Sequence, residues 1–289
     1  MRKRKGFTLI ELLVVISIIA LLLSILMPAL SLVKQKAVAI ACLANQRSLS
    51  YAWTSYGIDN GDAIVPGLCW SGAMKFGPYS GRDGSWVEPP QDETGNYLGN
   101  SGLDVTMEDR LRGLERGLLY SYLDSTEVFH CPGDTRYKKG TVLGSSDAYK
   151  IYRSYSLSDG ATAVTFSSYE KYGYTRPTKV SQVKLPGMKH IFVEEVYDGY
   201  DVNYNDASWN LQPNLSAGSE AWWDPLGLYH TDSCTIGFAD GHGEKYNYKD
   251  KRTIEYFGNR AAHPRLQPGN IDIQFFQKGW AGTQTGPKQ

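Results

Sequence analysis

From Leu12 to Leu30 the chain carries no charge, and it is bounded by Arg2, Lys3, Arg4, Lys5 and Glu11 on one side and Lys34 and Lys36 on the other. Nineteen residues at about 1.5 Å each span roughly 28 Å as a helix, close to the hydrocarbon thickness of a bilayer. The pattern predicts a transmembrane segment over about 9–30. Past Pro28 the apolar positions Leu30, Val33, Ala37, Ile40 and Ala44 step by three and four, while Lys34, Gln35, Lys36, Asn45, Gln46 and Arg47 lie mostly on other faces. One amphipathic helix is thus expected to continue out of the membrane, occupying 7–60 in all and stopping near Gly57, before the turn-rich Asp59-Asn60-Gly61-Asp62. Pro28 removes one backbone donor and crowds the preceding turn, so by itself it reads either as a kink or simply as a helix end.

The pattern changes after Asp62. Residues 61–278 read as a globular domain of short segments between turn signals, and 279–289 as a frayed tail. Gly67 to Gly102 is dense in Gly, Pro and Ser and reads as a long ordered loop. Thr106 is placed to cap a helix from about Met107 to Leu123, with Leu111, Leu114, Leu118 and Tyr122 on one face. Strands are expected at Tyr149–Ser156, Lys189–Val196 and Thr235–Ala239. In the last of these, Cys234, Ile236 and Phe238 alternate as a half-buried strand would; Asp240-Gly241 then reads as a hairpin turn into a strand carrying Glu244, Tyr246 and Tyr248. The expected class is α+β: a long N-terminal helix whose second half packs on an antiparallel sheet with large loop insertions.

Thirty basic and thirty acidic residues cancel in this 289-residue chain. That removes the broad attraction phosphate backbones require and argues against a nucleic-acid partner. The four basic residues ahead of the apolar run predict a cytoplasmic N-terminus and an exported remainder. An ordinary signal peptide fits poorly, because its apolar region is about 7 to 15 residues. Cys42, Cys69, Cys131 and Cys234 include no CxxC pair, so zinc-ribbon and thioredoxin-like readings fail; four cysteines allow three pairings, and free buried thiols are as acceptable as any of them.

Glu11 is an ionisable group at the edge of the apolar run, where a carboxylate calls for a partner. The stretch Gly6-Phe7-Thr8-Leu9-Ile10-Glu11-Leu12-Leu13-Val14-Val15-Ile16 resembles the class III signal of type IV pilins and type II secretion pseudopilins. The resemblance implies removal of the leader 1–6 by a prepilin peptidase, methylation of Phe7, pairing of Glu11 with the new Phe7 ammonium of a neighbouring subunit, and a proline kink at Pro28. It implies a structural subunit rather than an enzyme, in the inner membrane or a periplasmic or extracellular fibre, with other pilin-like subunits as partners.

A second resemblance lies in Tyr229-His230-Thr231-Asp232-Ser233-Cys234-Thr235-Ile236-Gly237-Phe238-Ala239-Asp240-Gly241-His242. Nine residues separate His230 from Asp240-Gly241, as in the H-X9-DG domain of some large pilin-like proteins. Phe129-His130-Cys131-Pro132-Gly133-Asp134 and Arg153-Ser154-Tyr155-Ser156-Leu157 look like the same family. Two metal sites are candidates. His230, Asp240 and His242 would suit zinc; Asp198, Asp201 and Asp206, in the oxygen-rich run that begins at Glu194 and Glu195, would suit the calcium found in some pseudopilins. The bland readings are a His230 that fixes the hairpin and a solvated acidic loop. No nucleophile elbow, HExxH, P-loop or GxGxxG occurs, so catalytic residues are not assigned. Trp70, Trp86 and Trp222-Trp223 are either core or a platform for polysaccharide. The alternatives to a fibre subunit are an anchored polysaccharide-binding module and a metal-dependent hydrolase using His230, Asp240 and His242.

Overall fold

Thr8 starts the long helix. Its hydroxyl accepts from the Glu11 amide while the Glu11 carboxylate accepts from the Thr8 amide and hydroxyl, a reciprocal cap on the first turn. This computed structural model describes residues 7–67, 84–98, 105–135, 152–162, 174–196, 208–211, 218, 220–259 and 263–284. Helix α1 spans Leu9–Asp59 and runs through Pro28 without a break. Within its apolar part, Ser17 and Ser24 return their hydroxyl protons to the carbonyls of Leu13 and Leu21, so neither needs water. Among the described residues α1 is the one helix long and apolar enough to cross a membrane.

Burial on α1 begins only at Ala39 and continues through Cys42, Gln46, Leu49, Trp53 and Tyr56. This is not the expected stripe. Leu30, Val33 and Ile40 remain more than half exposed, and Ala37 and Ala44 also face outward. Selecting apolar residues alone missed the true seam, because the helix packs on a part of the sheet built from small and polar residues that accepts Gln46 and Ser50.

That sheet has the order β4-β1-β3-β5-β6, formed by β1 (Tyr155–Ser158), β3 (His190–Glu194), β4 (Ser208–Trp209), β5 (Ser233–Phe238) and β6 (Gly243–Asn247). Its pairs are antiparallel except β1 with β4, which run parallel at one edge, so the sheet is mixed. All six residues of β5 are buried, not alternate ones. One face lies under α1: the Gln46 amide donates to the Thr235 carbonyl at 3.0 Å, and a Cβ added to Gly237 would sit 2.5 Å from Ser50 Oγ and 2.9 Å from the Gln46 carbonyl. Gly243, paired with Gly237 across the hairpin, meets the Leu43 carbonyl and Arg47 in the same way. The other face, with Cys234, Ile236 and Phe238, joins Val193, Trp209, Trp222, Ile273 and Phe276 in a second core, closed by α3 (Lys251–Gly258) and α4 (Ile271–Gly279).

Three other expectations shift. Helix α2 starts at Thr106 as anticipated but covers only Met107–Glu115; the amides of Leu118 and Leu119 go to the carbonyls of Ser85 and Trp86 instead of continuing the helix. Of the strand expected from Tyr149, residues 149–151 lie outside the described residues and 152–154 are not strand; β1 begins at Tyr155, although Ser154 and Phe129 share a backbone bond. The expected tail is packed through Ala281, and its backbone is paired as far as Gln284. Trp280 is buried and donates from Nε1 to Asp159 at 2.7 Å, and β7 (Thr283–Gln284) pairs with β2 (Tyr174–Thr175).

His190 is buried among Phe238, Phe275 and Phe276, with ring centroids 5.0–5.2 Å away. Burial, with the charges of Lys189 and His242 adding to it, pushes its pKa down to about 3. The unfolded chain therefore takes up a proton at this position near pH 6.5 that the folded chain refuses, so stability is present above that pH and is lost on acidification. The expected contribution is on the order of 1 kcal/mol per pH unit between pH 6 and 4. Unfolding of the full chain in detergent over that range should show a shallower pH slope for His190→Phe; equal slopes would refute the assignment.

Candidate functional site

Gly6 lies outside the described residues. Phe7 is exposed, next to the cap in which Thr8 holds Glu11. The Glu11 carboxylate thus has a partner within its own chain, one residue from the backbone nitrogen that cleavage after Gly6 would turn into a terminal amine.

The two ends of the H-X9-DG stretch separate in space. β5 lies between them, and its six residues at about 3.3 Å each put roughly 20 Å between its ends. At the far end, Ala239-Asp240-Gly241 form a three-residue turn in which Phe238 and His242 pair by a backbone bond and Gly241 takes a φ of 91°, the left-handed value a glycine adopts without strain. Asp240 accepts from the His242 backbone amide and ring, and that ring stacks on Phe238. The zinc set of His230, Asp240 and His242 therefore does not converge; Asp240 and His242 belong to the turn and His230 does not. The hydrolase reading loses its ligand set with it.

His230 has other partners. Thr231 follows it at a φ of 72°, a left-handed conformation uncommon for a β-branched residue, and Ser233 donates to the His230 carbonyl at 2.8 Å. This bend directs the imidazole inward at the start of β5. Its Nε2 lies 2.9 Å from Glu194 Oε1 on β3 and 3.6 Å from Cys131 Sγ, and Cys131 Sγ lies 2.7 Å from Cys42 Sγ on α1. The four donor atoms are all within 4.8 Å of one another. Glu194 also accepts from the Thr235 hydroxyl at 2.7 Å and the Thr235 amide at 3.2 Å. Both sulfurs and the carboxylate are fully buried.

Electrostatics follow from that crowding. The hydrogen bond from Cys131 draws the Cys42 thiol down to about 7 against the opposing effect of burial. Burial pushes the Cys131 thiol far up. Burial works against the charged imidazole of His230, but hydrogen bonds with Cys42 and Glu194 outweigh it and raise the group to about 9.

The other motif stretches converge on the same place and position Cys131. Ser154 donates its amide to the Phe129 carbonyl and its hydroxyl to Asp134 at 2.7 Å. His130 Nδ1 contacts the Tyr152 carbonyl, turning away from its neighbour Cys131, and Asn45 on α1 donates to the His130 carbonyl. Gly133 fits against the Tyr229 carbonyl, where a Cβ would approach to 2.9 Å. Sequence reasoning named His230 and the Cys131 stretch but did not join them to Cys42 and Glu194. The contacts bridge 89, 99 and 36 positions, so no local spacing reports them.

Asp198, Asp201 and Asp206 lie outside the described residues. Glu194 and Glu195, from the same run, are buried and hydrogen-bonded, not part of a solvated loop. Trp86 and Trp222 are fully buried core residues, while Trp223 is exposed under the Arg265 guanidinium, 4.1 Å from its ring; Trp70 is outside the described residues. A platform centred on Trp222 is therefore absent from the described surface.

The family described as the prokaryotic N-terminal methylation motif matches residues 1–27. The match covers the basic leader, Gly6, Phe7, Glu11 and most of the apolar run, so the chain has the N-terminus of a prepilin-like protein with an apolar helix suited to membrane anchoring. Comparison with curated proteins and with solved structures returns no match.

Proposed function

We propose that this chain is a pilin-like structural subunit, cut after Gly6 by a prepilin peptidase, methylated at Phe7, anchored in the inner membrane with its globular part exported, and assembled through α1 into a type II secretion or type IV pilus-like fibre. The observation that carries this reading is the methylation motif placed at the start of a helix whose apolar half is not buried against any of the described residues. Leu30, Val33, Ala37, Ile40 and Ala44 extend that unpartnered stripe past the membrane, where the helices of neighbouring subunits would cover it. The globular part grips only the other side of the helix, so bundling does not require it to come away.

Intact mass and N-terminal sequencing of protein from its host's membranes test the processing. The expected product begins at methylated Phe7. A full-length chain with an unmodified Met1 would leave a single-pass anchored protein and remove the basis for fibre assembly.

A further inference from the structure

A buried carboxylate, an imidazole and two sulfurs, brought together from α1, the segment after Phe129, β3 and the bend before β5, are an unusual set to leave in a protein core. Burying charge is costly unless it is compensated. The donor set is chemically coherent: thiolate, imidazole and carboxylate are the three ligand types of zinc sites, and sulfur selects thiophilic ions over magnesium or calcium. We propose that Cys42, Cys131, His230 and Glu194 bind one thiophilic divalent cation of the zinc class, and that the ion ties α1 to the sheet.

The four atoms already lie within the span of a single tetrahedral shell. With metal–sulfur bonds of about 2.3 Å, two ligand sulfurs stand roughly 3.8 Å apart, so the Cys42 and Cys131 sulfurs open by about 1 Å from their present 2.7 Å. Binding displaces to solvent the protons that the two thiols still carry and the imidazolium proton of His230, whose Nε2 then serves as a neutral donor. Two thiolates, one carboxylate and one divalent ion leave a single net negative charge, and the Thr235 amide and hydroxyl already donate to Glu194, where it would reside. That support for a ligand is the kind that orients metal sites. A disulfide between the cysteines would account for the sulfurs alone, leaving Glu194 and His230 as an isolated buried pair. The proposal concerns the exported core and does not depend on fibre assembly.

The test uses the full chain, without an oligohistidine tag, extracted in mild detergent without chelator. Elemental analysis should find about one zinc per chain, and alkylation in denaturant without reductant should modify both Cys42 and Cys131. Cys42→Ser and Glu194→Gln should lose the stoichiometric ion. Cys234→Ser, whose sulfur faces the second core, should keep it. Thr235→Val should weaken cobalt binding, followed by thiolate-to-cobalt absorption, by about tenfold or more. Should Cys42→Ser fail to fold, the wild-type stoichiometry and the Thr235→Val titration still decide. A metal-free wild-type chain overturns the proposal, whether its thiols react or it is lighter by two hydrogens with Cys42 and Cys131 joined; so does an ion retained in folded Cys42→Ser.

Discussion

Glu11→Ala should give a subunit that is cut after Gly6 and held in the membrane but enters fibres at less than about a tenth of the wild-type level, because an ammonium without its carboxylate in a low-dielectric bundle is among the most costly single losses. In the isolated chain the carboxylate is exposed and caps its own helix through Thr8. The proposed pairing would therefore exchange the Thr8 contacts for a neighbour's Phe7 amine. Thr8→Ala separates the two roles, since it removes only the hydroxyl half of the cap and should reduce incorporation far less. Sheared-fibre yield normalised to membrane-bound subunit is the measurement. Normal incorporation of Glu11→Ala would eliminate the pairing between subunits.

The second large effect lies where α1 crosses the sheet. Gly237→Val should destabilise the folded chain by about 3 kcal/mol or more, at the upper end of the range for overpacking a core, because its Cβ meets Ser50 Oγ and the Gln46 carbonyl. The backbone carbonyl cannot rotate away. Gly237→Ala should cost less but in the same direction, whereas Gly258→Ala, with open space around its Cβ position, should change little. Chemical unfolding of the detergent-solubilised chain followed by tryptophan fluorescence would report all three. A Gly237→Val chain as stable as wild type would mean that α1 does not lie this close to β5.

The sequence made the anchor legible because one continuous variable, apolarity over nineteen positions, encodes it. It also placed β3, β5 and the Asp240-Gly241 turn, where alternation and turn chemistry are local. What it hid was contact across distance. Gln46, Ser50, Gly237 and Gly243 do not look like a packing seam, since none is a large apolar residue, yet at these positions helix and sheet pack without room for a Cβ on either glycine. His230 is visible as a motif residue, but its partners Glu194, Cys131 and Cys42 come from elsewhere in the chain, so the nearer Asp240 and His242 were the natural and mistaken companions. Trp280 shows the opposite limit: a Gly-rich C-terminus reads as loose until the indole finds Asp159.

Helix α1 is also a lever. Its 51 residues make a rod of about 77 Å, and the residues from Leu9 to Val38, roughly 45 Å of it, project before the first buried position at Ala39. Any pull on the apolar end reaches the globular body as shear along the eighteen positions from Ala39 to Tyr56. Cys42 sits near the leading edge of that grip, where axial load arrives first, so whatever joins it to Cys131 and His230 would set the force at which rod and body part.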